Sequence, residues 1–152
     1  MGFQKTLILA VALSASPSTA KVDRFEELYC LANNIYFESR NQPKLGQIAV
    51  GQVTMNRVNS PKFPNTVCGV VKQGGEKRNR CQFSWYCDGK SDEHEGGTAW
   101  DESVYLALLL YSEEFTIDVT EGALWYHATY VSPNWAEHYE KTVRINEHIF
   151  YR

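Results

Sequence analysis

Glu38 is the residue whose position first suggests chemistry in this sequence. A set of apolar residues precedes it at helical spacing: Phe25, Leu28, Leu31, Ala32 and Ile35. The next step of that period reaches Glu38, which places a carboxyl group on the side of the helix that faces the core. Ionising such a group is costly unless it is paired or borders a cleft. The residues alone leave three interpretations open: an ion pair with Arg40 or Arg57, a solvated helix end, or a general acid held protonated by apolar surroundings.

Two segments further along the chain could supply polar groups to such an acid. In the stretch CQFSW, Gln82 and Ser84 share one face of a predicted strand, and Phe83 and Trp85 lie on the other face. Two short polar side chains beside aromatic rings are suited to hydrogen-bonding the hydroxyl and N-acetyl groups of a sugar. A half-exposed strand without a binding role has the same alternation, so both interpretations stand.

The stretch LWYHA supplies the second polar pair, Tyr126 and His127. His127 could orient Glu38 or bind a sugar, but a histidine on a strand also serves as a hydrogen-bonded structural residue. Trp135 could stack on a sugar ring or belong to the core.

A metal site is the main alternative chemistry, and the sequence disfavours it. The four histidines form no H-E-x-x-H pair or similar motif that would suit a metal-dependent amidase of the peptide stem. The four cysteines contain no C-x-x-C motif. Their even number predicts two disulfides in an oxidising compartment, with three pairings possible for Cys30, Cys68, Cys81 and Cys87.

Three helices would position these residues. Asp23 is the predicted N-cap of the first helix, and Pro43 suits the start of a second helix over residues 44–58. Thr98 is the predicted N-cap of a third helix, whose apolar face extends as far as Phe115.

Short strands are predicted among and after the helices. CQFSWYC is predicted to be a strand between two cysteines, ALWYHATYV an extended segment, and TVRI with HIFY a hairpin around Asn146 and Glu147. Because the helices come first and no βαβ rhythm is present, the pattern indicates an α+β fold.

Residues 1–20 have the layout of a secretory signal, with one lysine, a short apolar run and small residues before Ala20. The apolar run is too short to span a bilayer as a helix. We expect cleavage after Ala20, which leaves a catalytic domain over residues 21–152, without a membrane span, in a secreted or periplasmic location. An uncleaved amphipathic anchor is the alternative.

The composition is that of an ordinary globular protein. The 152 residues suit one domain, and 43% of them are apolar and 22% charged. A net charge of −3 argues against nucleic acid or another polyphosphate as a partner. The aromatic share of 13% suits either a core or a surface on which sugar rings stack.

Three stretches together resemble the cell wall hydrolase family that includes the spore-cortex-lytic enzymes. They are LANNIYFESRNQPKLGQIAVGQVTMNRVNSPKFPNTVCGVVKQ, CQFSW and ALWYHATYVSPNW. The resemblance extends from about Leu28 to the final HIFYR, and the long ordered run from Tyr36 to Val71 makes it specific. The family's Y-x-E-[SA]-R element is matched by Tyr36 to Arg40. The glycine that follows this element in the family is Asn41 here, which also tolerates a left-handed turn.

The resemblance implies a lysozyme-like, lytic transglycosylase-like α+β domain with a small β-hairpin region, which cleaves peptidoglycan glycan strands. It implies that Glu38 is the catalytic acid and that no metal or other cofactor takes part. The substrate-binding residues that it implies are Tyr36, Gln82, Ser84, Tyr126 and His127.

Peptidoglycan glycan strands are the expected partner, and targeting would rest on the groove itself or on a partner protein. Two rival functions stay open. One is a hydrolase that activates water with a second carboxylate, drawn from acids such as Asp88, Asp92, Asp101 and Glu102. The other is a wall-binding module without catalytic activity.

Overall fold

The structure is a computed structural model that describes residues 22–78, 80–112 and 115–152. The predicted signal segment, residues 1–20, lies outside the described residues, so cleavage after Ala20 stays a prediction. Among the described helices, none is both long and apolar enough to cross a membrane.

Helix α1, Arg24–Ser39, begins where the sequence predicts. The Asp23 carboxylate accepts a hydrogen bond from the backbone N–H of Phe25 (2.9 Å) and so caps the helix. The middle of the predicted apolar stripe is confirmed, since Leu31 and Ile35 are fully buried. Phe25 is 84% exposed, so the first position of the predicted stripe does not face the core.

Helix α2, Lys44–Val58, has the predicted bounds, with Pro43 at its N-cap. Helix α3, Val67–Val71, is absent from the sequence-based prediction. Five residues are too few for a helix that is stable by itself. The buried Glu27 carboxylate of α1 accepts hydrogen bonds from the first backbone N–H groups of α3, and a disulfide joins α3 to α1. Tertiary contacts, which no local pattern reveals, therefore stabilise α3.

Helix α4, Gly97–Tyr111, differs from the prediction at both ends. Gly96, with a φ of 73°, is the N-cap, so the prediction of Thr98 as the cap is wrong. A positive φ favours glycine over threonine at this turn. The helix ends at Tyr111, and Phe115 lies beyond it.

Strands β1 (Trp125–Ala128), β2 (Lys141–Ile145) and β3 (His148–Tyr151) form an antiparallel sheet in the order β1-β3-β2. The predicted terminal hairpin of β2 and β3 is confirmed, whereas β1 is shorter than the predicted extended segment. Tyr126 of β1 pairs with Phe150 of β3, which is fully buried between the sheet and α2. The predicted α+β class is therefore confirmed.

The predicted strand over CQFSWYC is wrong, because Ser84–Cys87 is a 3₁₀ helix. A disulfide joins Cys81 to Cys87, whose Cα atoms are 6.0 Å apart. Six residues of strand would separate them by about 20 Å, so the disulfide and the strand exclude each other. With the disulfide between α1 and α3, the four cysteines are paired in one of the three ways left open by the sequence. A second 3₁₀ helix, Asn134–His138, lies between β1 and β2.

Candidate active site

Glu38 lies in the last turn of α1 and lines a small cavity of about 160 Å³. Its side chain is half-buried, so the carboxyl group is largely covered and still borders the cavity. Arg57 of α2, Tyr126 of β1 and residues 81–84 line the same cavity. Four of the predicted site residues therefore come together here: Glu38, Gln82, Ser84 and Tyr126.

Tyr126 makes the direct contact with the carboxyl group. Its hydroxyl donates a hydrogen bond to Glu38 Oε2 at 2.8 Å. The tyrosine ring packs against His148 and Phe150 of β3, with ring centroids 5.2 and 5.6 Å away, which fixes its direction. Burial and the neighbouring Glu38 raise the pKa of Tyr126 well above its ordinary value, so the phenol keeps its proton and remains a donor.

Arg57 supplies a positive charge to the cavity without forming an ion pair with Glu38 among the described residues. Its guanidinium lies between the rings of Phe63 and Phe83, 5.2 and 5.0 Å from their centroids. Its Nε donates a hydrogen bond to the Leu124 carbonyl oxygen at 2.7 Å. Burial lowers the pKa of Arg57 to about 10, so the side chain is a cation at neutral pH.

Three influences act on the pKa of Glu38. Burial raises the pKa and is the largest of them, whereas the hydrogen bond from Tyr126 and the charge of Arg57 lower it. The net direction is upward. A carboxyl group in this setting can hold its proton at a higher pH than usual, and the ionised form still has two stabilising partners.

Gln82 and Ser84 are exposed at the rim of the cavity, and Phe83 between them is buried. The predicted alternation of these residues is present, although it arises from a turn closed by a disulfide and not from a strand. Both residues line the cavity that Glu38 lines and are also open to solvent, so a bound molecule can contact them there.

Tyr36 lies outside this cavity. It is 4% exposed, and its hydroxyl accepts a weak hydrogen bond from the backbone N–H of Glu95 (3.4 Å). Tyr36 and Glu38 are two positions apart on α1, so their side chains leave the helix about 200° apart, and Tyr36 lines a second cavity.

His127 also points away from Glu38. Its ring nitrogens lie 2.8 Å from the Ala128 carbonyl oxygen and 2.9 Å from the Tyr151 hydroxyl oxygen, and its ring stacks on that of Tyr151. Successive strand residues face opposite sides of a sheet, so Tyr126 and His127 cannot both reach the cavity. The described contacts place Tyr126, and not His127, as the partner of Glu38.

Arg57 and Asn34 were not among the predicted site residues. Asn34 is fully buried, accepts a hydrogen bond from Trp85 Nε1 at 2.9 Å and donates one to Thr54 Oγ1 at 3.0 Å, which fixes Trp85 beside the site. The sequence does contain an indication of the role of Asn34. It is an amide among the apolar residues of α1, and a buried polar group needs hydrogen-bond partners.

No carboxyl group other than that of Glu38 lines the cavity in the part of the chain that the structure describes. Asp88 borders the second cavity, Asp92 a third, and Glu102 forms an ion pair with Lys44 at 2.7 Å. Over the same residues, no group of three or more histidine, cysteine or acidic side chains is arranged to hold a metal ion.

The family described as Cell Wall Hydrolase matches residues 41–151 of the chain. The matched range begins directly after Arg40, so Glu38 lies just outside it. Among curated relatives, the spore cortex-lytic enzyme of Bacillus subtilis is 34% identical over 126 residues, which are 82% of this chain and 37% of that enzyme. The spore cortex-lytic enzyme of Bacillus cereus is 53% identical over 45 residues, 30% of this chain and 17% of that enzyme. The chain thus spans well under half the length of these relatives.

Two solved catalytic domains share the fold. That of the Bacillus cereus SleB protein superposes with a TM-score of 0.65 at 28% identity, covering 91% of this chain and 98% of that one. That of the germination-specific lytic transglycosylase SleB from Bacillus anthracis gives 0.67 at 29% identity, covering 93% and 100%. These likenesses confirm the predicted lysozyme-like, lytic transglycosylase-like domain. Because the family match extends over most of its residues, the chain belongs to the cell wall hydrolase family.

Proposed function

We propose that this chain cleaves the glycan strands of peptidoglycan between MurNAc and GlcNAc, as a lytic transglycosylase with Glu38 as its catalytic residue. The observation that carries the proposal is a single half-buried carboxyl group of raised pKa in a cavity that no second described carboxyl group lines. The name of the Bacillus anthracis relative, a lytic transglycosylase, supports the same reaction class.

In the first step, protonated Glu38 donates its proton to the glycosidic oxygen. The bond between that oxygen and C1 of MurNAc breaks, the GlcNAc hydroxyl leaves, and positive charge develops at C1. A raised pKa favours this step, because the carboxyl group must hold its proton until the substrate is bound.

In the second step, the C6 hydroxyl of the same MurNAc attacks C1, and the Glu38 carboxylate accepts the hydroxyl proton. The product is a 1,6-anhydro ring, and Glu38 returns to its protonated state. The nucleophile belongs to the substrate, so the reaction needs no second carboxylate to activate water.

Between the two steps Glu38 carries a negative charge. The Tyr126 hydroxyl, at 2.8 Å, and the nearby Arg57 guanidinium stabilise that charge. Gln82 and Ser84 at the rim would hydrogen-bond hydroxyl or N-acetyl groups of the strand. Tyr36 and His127 lie outside the cavity, and the proposal assigns them no contact with the reacting sugar.

The location we propose is extracellular or periplasmic, because peptidoglycan lies there and residues 1–20 resemble a secretory signal. The paired cysteines suit the same oxidising location.

Mass spectrometry of digested peptidoglycan tests the proposal. The wild-type chain should release muropeptides that end in 1,6-anhydro-MurNAc, and Glu38→Gln should lower the rate by about a thousandfold, since glutamine keeps the shape and cannot donate the proton. Glu102→Gln is the matched control, because that acid pairs with Lys44 away from the cavity.

The product identifies the reaction. Reducing MurNAc ends would show a hydrolase that delivers water to the same bond, and an unchanged sacculus would show a wall-binding module. Cleavage by Glu38→Gln at a rate near that of the wild type would overturn the assignment of the acid.

A further inference from the structure

A second cavity, of about 440 Å³, lies directly beside the cavity that Glu38 lines. We call it the charged cavity, and its walls come from α1 and from residues 85–95. Phe37 in its wall is next to Glu38 in the chain, and Trp85 is next to Ser84. Adjacent residues lie about 3.8 Å apart at their Cα atoms. The walls of the two cavities are therefore adjacent, and a long substrate held at Glu38 is large enough to reach both.

Ring stacking and hydrogen bonds hold the apolar part of the charged cavity in place. The rings of Phe37 and Trp85 are stacked, with centroids 4.7 Å apart and planes at 20°. Trp85 donates its indole N–H to the fully buried Asn34, which in turn donates to Thr54. This aromatic pair forms an apolar surface on which small apolar groups such as methyl groups can pack.

The charged cavity also has side chains of both positive and negative charge. The guanidinium of Arg40 lies 4.7 Å above the ring of Tyr36 and has no ion-pair partner among the described residues. Glu93 and Glu95 likewise form no ion pair within the described chain, and both are exposed. Lys90 is already paired with Asp88, at 3.6 Å. A cation and two carboxylates around one cavity thus remain available to a ligand.

We propose that the charged cavity binds the peptide attached to the lactyl group of the MurNAc residue at the cut, an inference that rests on the proposed function. Such a peptide carries carboxylates and a free amine together with alanine methyl groups. Arg40 would bind a carboxylate, Glu93 or Glu95 would bind the amine, and the Phe37–Trp85 pair would contact the methyl groups. N-acetyl sugars without the peptide are uncharged or carry one carboxylate, so a continuing glycan would leave these charges unused.

The test compares two substrates: peptidoglycan with its peptides intact, and the same strands after an amidase has removed the peptides. The wild-type chain should cleave the peptide-bearing strands with a kcat/KM about tenfold higher than that for the strands without peptides. A few charged contacts at a partly exposed site contribute a free energy of this size. In Arg40→Gln, and in the double variant Glu93→Gln with Glu95→Gln, the ratio of the two rates should fall towards one. Glu76→Gln, an exposed acid outside the cavity, should keep the wild-type ratio.

Equal cleavage of both substrates by the wild-type chain would overturn the peptide site and leave the proposed glycan cleavage intact. Variants that keep the tenfold ratio would have the same consequence. A thermal unfolding transition measured for each variant shows whether it is folded. Substitutions of exposed residues should leave the fold intact. If neither substrate is cleaved, the proposed function fails, and calorimetric titration with the isolated peptide still decides the inference. Binding that weakens in Arg40→Gln supports the site, and the absence of binding overturns it.

Discussion

In the proposed reaction Glu38 donates a proton and then takes one back, and its surroundings act on both of its states. Burial favours the protonated form, while the Tyr126 hydroxyl and the Arg57 charge favour the carboxylate. The groups that stabilise the carboxylate do so only moderately. Tyr126 donates one hydrogen bond, and Arg57 makes no direct hydrogen bond to Glu38 among the described contacts. A catalytic group that alternates between acid and base works best with this kind of balance.

Removing the tyrosine hydroxyl should shift the pH dependence of activity. In the proposed reaction Glu38 must be protonated at the start, so kcat/KM should fall as the pH rises through its raised pKa. Tyr126→Phe removes a hydrogen bond that lowers this pKa, so the alkaline limb should move to higher pH, and kcat should drop about tenfold because the carboxylate loses its donor. The measurement is the pH profile of kcat/KM. Tyr151→Phe, which removes the hydroxyl beside His127, is the matched control and should leave the limb in place.

Arg57→Met should move the same limb in the same direction, because the charge that stabilises the Glu38 carboxylate is lost. Arg57→Lys keeps a positive charge and should restore much of the wild-type profile. Arg57→Met also removes the hydrogen bond to the Leu124 carbonyl oxygen, which should reduce the free energy of unfolding by about 1–3 kcal/mol. A limb that stays in place in Arg57→Met, measured on folded protein, would limit this arginine to a structural role.

The sequence predicts Glu38 as a candidate because a carboxylate on an apolar helical stripe is unusual. The role of Arg57 is harder to predict. Its charge is enclosed by Phe63 and Phe83, which come from separate segments, and only the folded chain brings these rings to either side of it.

The elements differ in how much local sequence determines them. Helix α2 could be predicted to the residue, since Pro43 sets its start and its end meets a turn rich in proline and serine. Helix α3 and the turn at residues 81–87 could not, because a carboxylate from α1 and two disulfides determine them. Elements that depend on distant partners are also those whose stability single substitutions should affect most.

Glu27→Gln should therefore destabilise the domain. Its carboxylate accepts hydrogen bonds from the N–H groups of Val67 and Cys68, and an amide would give up the charge and place an NH₂ group against one of these donors. The expected loss is about 1–3 kcal/mol in the free energy of unfolding, measured with denaturant. Glu26→Gln is the control, since its exposed pair with Lys72 should contribute less than about 1 kcal/mol. Equal losses in the two variants would contradict the capping role of Glu27.

At the scale of the whole molecule, the two disulfides have different tasks. The Cys30–Cys68 bond closes a separation of 38 residues and ties α3 to α1, whereas Cys81–Cys87 closes a separation of 6 residues at the rim of the cavity. The longer loop limits the unfolded chain more.

Replacing Cys30 and Cys68 by alanine should lower the free energy of unfolding by about 4 kcal/mol, and replacing Cys81 and Cys87 by about 2 kcal/mol. Catalysis should show the opposite order, because the second pair holds Gln82 and Ser84 beside Glu38. Denaturant titrations and glycan cleavage rates on the same two variants check both statements. If the variant that loses more stability also loses more activity, the two disulfides do not have different tasks.

The hydrogen bond between Tyr126 and Glu38 joins residues 88 positions apart, and Tyr126 packs against both the helical core and the small core beneath the sheet. The contact between the proposed acid and its hydrogen-bond donor therefore exists only while these two cores keep their relative positions. On gentle warming, the sheet with its smaller core should loosen first, and turnover should cease while the helical circular dichroism signal is still complete. Moderate heat would then abolish the proposed lytic activity at a temperature well below that of global unfolding.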